Sequence, residues 1–357
     1  MRILIDIGHP AHIHYFKNCV KILSLKEHSF FFTVRERDST IELIKSTGFD
    51  YISRGKGGNN ILSKLMLMPL IDCRVYKAAK KFNPDLFLSF SSPYAAQVAW
   101  IMRKPHIAVD DTEHAVFGQL MYRPFTNTIL SPSCYNKKIS KKQILFDSLM
   151  DFAYLHPCYF KPDVSIRKEL QLKDDEKFCI LRFVSWDANH DIGEKGLSLQ
   201  DKIRLVNHIN NYCKVFISSE QALPHDLLPY KLNVHPAKLH SVLAEATLYI
   251  GEGGTTASES CVLGTPAIYV NRLSAGVFDT LKQYGLLFQL LDIDSVIRKA
   301  NEILSDTMAT ENFKKKSEVL LNEKIDATAF FVWFIEKYPE SHKIMKEDLE
   351  YQYRFKF

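Results

Sequence analysis

The sequence predicts an α/β protein of two Rossmann-like domains with parallel sheets facing a central cleft. Three observations predict it. The chain has 357 residues, more than the roughly 250 to 300 at which a single hydrophobic core stops growing. Short runs rich in β-branched and aromatic residues alternate with segments that read as amphipathic helices, the order that builds parallel sheets covered by helices. That alternation stops near Pro157 to Pro162 and then restarts.

In the first half the strand-like runs are "ILIDI", "FFFTVR", "DLFLSF" and "HIAVDD". In the second half they are "FCILRFVS", "KVFISS", "TLYIGE" and "PAIYVN". A single eight-fold barrel fits less well, because the units are too many and the break falls in the middle. The expected boundaries are 1–160 for an N-terminal Rossmann-like domain, 161–325 for a C-terminal one, and 326–357 for helices packing back on the first domain. Those last helices are read from "TAFFVWFIEKY" and "ESHKIMKEDLEYQYRF".

Composition removes several classes of function. Hydrophobic residues make up 46% and charged residues 24% of the chain, the balance of an ordinary globular protein. A formal charge of +5 is modest, and its clusters (Lys137, Lys138, Lys141, Lys142; Lys314 to Lys316) read as solvated faces, so no nucleic-acid partner is expected. Seven scattered cysteines without a Cys-x-x-Cys pair argue against a disulfide framework or a structural zinc. No signal-peptide pattern opens the chain and no apolar run reaches about 18 residues, so a cytoplasmic location is expected.

The most informative stretch is "TLYIGEGGTTASESCVLGTPAIYV", read as strand, glycine loop and helix. Gly251, Gly253 and Gly254 let a ligand approach the backbone. The helix beginning near Thr255 or Thr256 aims its free N–H groups and positive dipole end at the loop, a place for phosphate. Glu259 can accept both hydroxyls of a ribose. The plainer alternative is a tight turn with Glu259 favouring the helix start.

Four further stretches carry chemistry. "DIGHPAHIHYFKN" follows the first strand and places Gly8, His9, His12 and His14 at the carboxyl edge of the first sheet, where open α/β sheets bind ligands. An imidazole there suits proton transfer near neutrality, unless His12 merely packs the loop. "AVDDTEHAVFG" gathers Asp110, Asp111 and Glu113, which either cap a helix through Asp111 or Thr112, bind a cation, or perform acid–base chemistry. "LRFVSWDANHDIGEKGLS" carries Arg182, Ser185, Trp186, His190 and Lys195, where a cation can neutralise a phosphate and Trp186 can stack. Ser218 and His235 stand at later strand ends. "GKGGNNILSKLMLMPLIDCRVYKAAKKF" is a Gly/Asn loop and an apolar helix flanked by lysines, which can rest on a membrane surface or be covered by the core.

The segment His235 to Val270 resembles the sugar-nucleotide-binding half of GT-B glycosyltransferases, particularly the peptidoglycan N-acetylglucosaminyltransferase, and the UDP-N-acetylglucosamine 2-epimerases of the same fold. "IDIGHPAHIHYFKN" with "VDDTEHA" also resembles an uncharacterised GT-B-like family, domain of unknown function 354. The resemblance implies that 1–160 is the acceptor domain and 161–325 the nucleotide-sugar-binding domain, with diphosphate binding by Gly253, Gly254, Thr255 and Thr256 and ribose binding by Glu259. It further implies His12 as the base, and keeps a proton-transfer role open for Asp111 or Glu113.

The expected function is therefore transfer of a sugar from a nucleotide-linked donor, UDP by analogy, to a glycan or lipid-linked acceptor in surface glycoconjugate synthesis. No metal or cofactor is required beyond the donor itself, because helix dipole and cations replace them. Peripheral membrane contact is expected with a lipid-linked acceptor. The alternatives are a sugar-nucleotide epimerase or hydrolase acting through Asp111 and Glu113, a silent sugar-nucleotide-binding protein, and a metal-dependent hydrolase. The last would take ligands from His12, His14, Asp110, Asp111, His114 and His190.

Overall fold

The computed structural model describes residues 1–58, 60–183, 197–219 and 222–356. The chain is α/β and divides into two compact units, residues 1–154 with 324–357, and residues 155–323.

The first unit is built on seven parallel strands: β1 (Arg2–Ile7), β2 (Ser29–Arg35), β3 (Tyr51–Gly55), β4 (Leu86–Phe90), β5 (His106–Val109), β6 (Thr128–Pro132) and β7 (Gln143–Phe146). Their order is β3-β2-β1-β4-β5-β6-β7. Central strands are buried throughout, as a sheet covered on both faces requires. Ile3, Leu4, Ile5 and Ile7 of β1 and Phe87 and Leu88 of β4 are core residues. The order reverses between β1 and β4, so the chain leaves these neighbours in opposite directions and opens a crevice at their carboxyl ends. The loops at that point are Gly8–His9 and Ser91–Ser92.

Residues 324–357 complete this unit. The helix Ala327–Glu336 packs on the helix Pro10–Ser24. Its Phe330 and Phe331 meet Phe146 of β7 at ring separations of 5.7 and 5.1 Å, each such buried ring adding about 2 to 3 kcal/mol.

The second unit holds five parallel strands: β8 (Phe178–Arg182), β9 (Lys214–Ser218), β10 (Leu248–Gly251), β11 (Ala267–Tyr269) and β12 (Leu287–Gln289). Their order is β12-β11-β10-β8-β9, which reverses between β8 and β10. The glycine loop therefore leaves the sheet at the reversal point of its own unit. Strands β3, β6, β7 and β12 were not among the runs singled out in the sequence. They have three to five residues each, and β3, β7 and β12 lie at sheet edges, where hydrophobic patterning is weakest.

Candidate functional site

In the second unit the glycine loop is held by contacts that only glycine permits. A Cβ on Gly251 would stand 2.4 Å from the Arg182 carbonyl oxygen and 2.5 Å from the Tyr249 hydroxyl. One on Gly254 would stand 2.5 Å from the Phe278 ring. The helix Gly254–Val262 starts one residue before the expected position, with Gly253 as an N-cap that offers no side-chain bond. Its first N–H groups therefore await an acceptor from elsewhere. Thr255 is exposed at this terminus and Thr256 is buried beneath it.

The loop's own carboxylate is neutralised. Glu252 pairs with Lys202 at 3.0 Å, so it does not repel an anion at the neighbouring helix end. Arg182, beside Gly251 in the β8–β10 register, donates through Nη1 to the Ser218 hydroxyl at 2.8 Å, bringing these two expected residues together. Glu259, one and a half turns into the helix, pairs with His240 Nε2 at 3.0 Å, both side chains being nearly buried.

His240 is a residue that sequence reading missed. Its signal lies in a repeated tripeptide. His235-Pro236-Ala237 and His9-Pro10-Ala11 make the same cap, the imidazole Nδ1 accepting the alanine N–H at 3.2 and 3.3 Å. His235 thus fixes the turn leading to the helix Leu239–Glu245, which carries His240. Ser185, Trp186, His190 and Lys195 lie outside the described residues.

In the first unit, His9 caps the helix Pro10–Ser24, and His14 stacks on Tyr154 at 5.3 Å beside Lys17. His12 lies against Phe90 of β4 at 4.4 Å. The Gly8 amide donates to its Nδ1 at 3.3 Å. Burial first, then His9 and Arg54, push its pKa well below 6.5. A neutral ring whose Nδ1 accepts a hydrogen bond carries its proton on Nε2. The ring therefore offers a donor. The role of base expected of His12 requires a bare nitrogen, and the bare one is occupied by Gly8.

The acidic cluster divides its labour. Asp110 is fully buried and accepts from the Tyr122 hydroxyl at 2.5 Å and the Thr112 N–H at 2.9 Å. Glu113 accepts from the Asn136 N–H at 2.8 Å, anchoring the segment after β6. Asp111 accepts from the Thr112 hydroxyl at 2.9 Å, and its carboxyl is pushed up to about 7, mainly by burial, with Asp110 and Glu113 adding to the rise. Neither Asp111 nor Thr112 caps a helix. The next one begins at Val116, with Ala115 before it.

Beneath the Gly8 loop lies a polar network that sequence reading also missed. Asp6, on the buried strand β1, accepts from Thr33 (2.6 Å), Arg54 Nε (2.8 Å) and Ser92 (2.6 Å). A charge inside "ILIDI" is the signal, since a buried carboxylate demands partners.

The helix Ile61–Phe82 is capped by Asn60 and Ser63. It buries Met68, Ile71, Val75 and Ala79 while exposing Ile61, Leu62, Leu65, Met66 and Leu70. Among the described residues no helix is long and apolar enough to cross a membrane, and no group of three or more His, Cys, Asp or Glu could hold a metal ion.

Comparison with known proteins agrees with this architecture. An uncharacterised protein of Methanocaldococcus jannaschii is 22% identical over 329 residues, covering 88% of this chain and 95% of that protein. The UDP-GlcNAc 2-epimerase of Neisseria meningitidis, solved bound to UDP-GlcNAc, is similar in structure with a TM-score of 0.65 and 13% identity, covering 94% of this chain and 100% of that one. The glycosyltransferase VinC, solved with dTDP, gives a TM-score of 0.61 and 14% identity, covering 98% and 100%. The fold is thus GT-B, shared by glycosyltransferases and epimerases. Over residues 1–329 the chain matches, and so belongs to, the family described as "Protein of unknown function (DUF354)".

Proposed function

We propose that the protein is a metal-independent glycosyltransferase that moves a sugar from a nucleotide-sugar donor to a glycan or lipid-linked acceptor. The observation that carries this reading is the uncapped helix terminus Gly253–Thr255 at the strand-order reversal of the second unit, with Glu259 further along the same helix. The terminal N–H groups hold the diphosphate, Arg182 offsets the charge that grows on it as the sugar departs, and Glu259, set by His240, holds the ribose. A pyrimidine nucleotide is favoured by analogy with the ligands of the similar structures, UDP-GlcNAc and dTDP.

In the first unit Asp111 is the base. A carboxyl with a pKa of about 7 can take a proton from an acceptor hydroxyl at neutral pH. His12 serves as a neutral donor through Nε2, and Glu113 positions the loop. The apolar face Ile61 to Leu70, with Lys64 beside it and Lys77, Lys80 and Lys81 further along the helix, rests on an anionic membrane surface and gives access to a lipid-linked acceptor.

Epimerisation is the second reading, because Asp111 could equally act on the sugar itself. The test is product analysis of UDP-sugars incubated with the protein, alone and with lipid-linked acceptor in anionic vesicles. Transfer predicts nucleotide release that needs acceptor and slows about tenfold in Met66→Glu, the scale of one lost anchor of ~1.4 kcal/mol. Conversion of the donor sugar without acceptor would replace transfer by epimerisation.

A further inference from the structure

Beside the Asp6 network two guanidinium groups lie close together with too few acceptors. Arg54, on β3, is 3% exposed. Its Nε is taken by Asp6 and its face by the Tyr94 ring at 4.5 Å, yet Nη1 is buried with no partner. Its Nη2 lies 3.7 Å from the point where a Cβ on Gly8 would stand, so one edge of the group reaches the loop at the strand-order reversal. Arg35, at the end of β2, has a buried Nε that likewise finds no partner. Gly57 makes room for it, since a Cβ there would stand 2.7 Å from that Nε.

The charges nearby do not balance. Burial, then Arg37 and Arg54, lower the pKa of Arg35, the mark of a cation surrounded by cations. Asp6 is shared among three donors. A further carboxyl, Asp72, has a buried Oδ1 without a partner and is pushed up to about 7 by burial and by Asp6, so near neutral pH it supplies only part of a charge. Buried N–H groups of charged side chains are ordinarily bonded, and paired guanidinium groups match the oxygens of phosphate and carboxylate.

We propose that Arg54 and Arg35, between the Gly8 loop and the Gly55–Gly58 turn, form an oxyanion subsite for a phosphate or carboxylate group of the acceptor. The assignment to the acceptor rests on the first unit being the acceptor unit. The subsite itself does not. It selects an anionic acceptor over a neutral one.

The test is calorimetric titration of the full chain with inorganic phosphate and with acetate at pH 7.5, on wild type, Arg35→Gln and Thr255→Glu. Arg35→Gln is preferred because Arg54→Ala would leave Asp6 buried without its cation and threaten folding. The expected result is a binding event that is at least tenfold weaker in Arg35→Gln and that persists in Thr255→Glu, where phosphate is repelled from the helix terminus of the second unit, the tighter of the two anions naming the group recognised. Equal binding by wild type and Arg35→Gln, loss in Thr255→Glu alone, or no binding of either anion would overturn the proposal. A parallel UDP titration separates the two ideas. Phosphate captured through Arg35 by a protein that ignores UDP keeps the subsite and removes the donor reading.

Discussion

Asp6→Ala is expected to destabilise the first unit by about 3 to 5 kcal/mol, the cost of leaving a buried charge without its partner. Arg54 would lose the acceptor of its Nε while remaining 3% exposed, and its Nη1 already has no partner. Thr33 and Ser92 would lose their acceptor in the same step. Against a total stability of ~5 to 15 kcal/mol for a domain, the loss is large. Replacing both members, Asp6→Ala with Arg54→Met, is expected to recover most of it, because no buried charge is then stranded. Urea unfolding of the wild type and the two variants checks this. A cost below about 1 kcal/mol for Asp6→Ala would mean that water reaches Arg54.

Asp111→Asn is expected to lower turnover by roughly 10²- to 10⁴-fold, the usual contribution of a positioned base, while leaving nucleotide binding intact. The change is nearly isosteric and keeps an acceptor for the Thr112 hydroxyl. The pH profile separates a base from a mere structural carboxylate. The ionised carboxylate is the active form and its pKa is raised to about 7, so wild-type turnover falls as pH drops through 7, and the residual rate of the variant does not follow that limb. The same shift opposes stability. Ionising a half-buried carboxyl beside Asp110 and Glu113 costs the folded state, so the contribution of Asp111 is fully present below about pH 4 and is lost as pH rises through 7. A variant that keeps more than half the wild-type rate at pH 7.5 would remove Asp111 from the chemistry.

What was legible in the sequence follows from how local each feature is. The glycine loop was legible because Gly251, Gly253 and Gly254 stand together between a strand and a helix, although the atoms that exclude a side chain there include Arg182 on β8 and Phe278 further along the chain. Seven of the eight strands recognised lie inside their sheets, and the eighth, β9, is an edge strand, whereas of the four missed β3, β7 and β12 are short edge strands and β6 is an interior strand of five residues. Asp6 is a charge in an apolar run, a signal the sequence reading passed over, and its partner Arg54 lies 48 residues away, with nothing in the spacing to join them. His240 was hidden for the same reason, 19 residues from Glu259. The tautomer of His12 depends on one backbone amide, a contact no residue pattern specifies. It is the reason the base is proposed to be Asp111.

The central claim is that the second unit binds a nucleotide diphosphate at the Gly253–Thr255 terminus. Its most direct test is calorimetric titration of UDP and dTDP, in metal-free buffer, into wild type, Thr255→Glu and Glu259→Gln. Thr255→Glu places a carboxylate at an exposed position in the first turn, where it suits the helix but repels phosphate. Glu259→Gln weakens the ribose contact while keeping its shape. Wild type is expected to bind one of the two nucleotides, and each variant to bind it at least tenfold more weakly, a loss of ~1.4 kcal/mol or more. Binding that both variants leave unchanged, or binding of neither nucleotide by wild type, would contradict it.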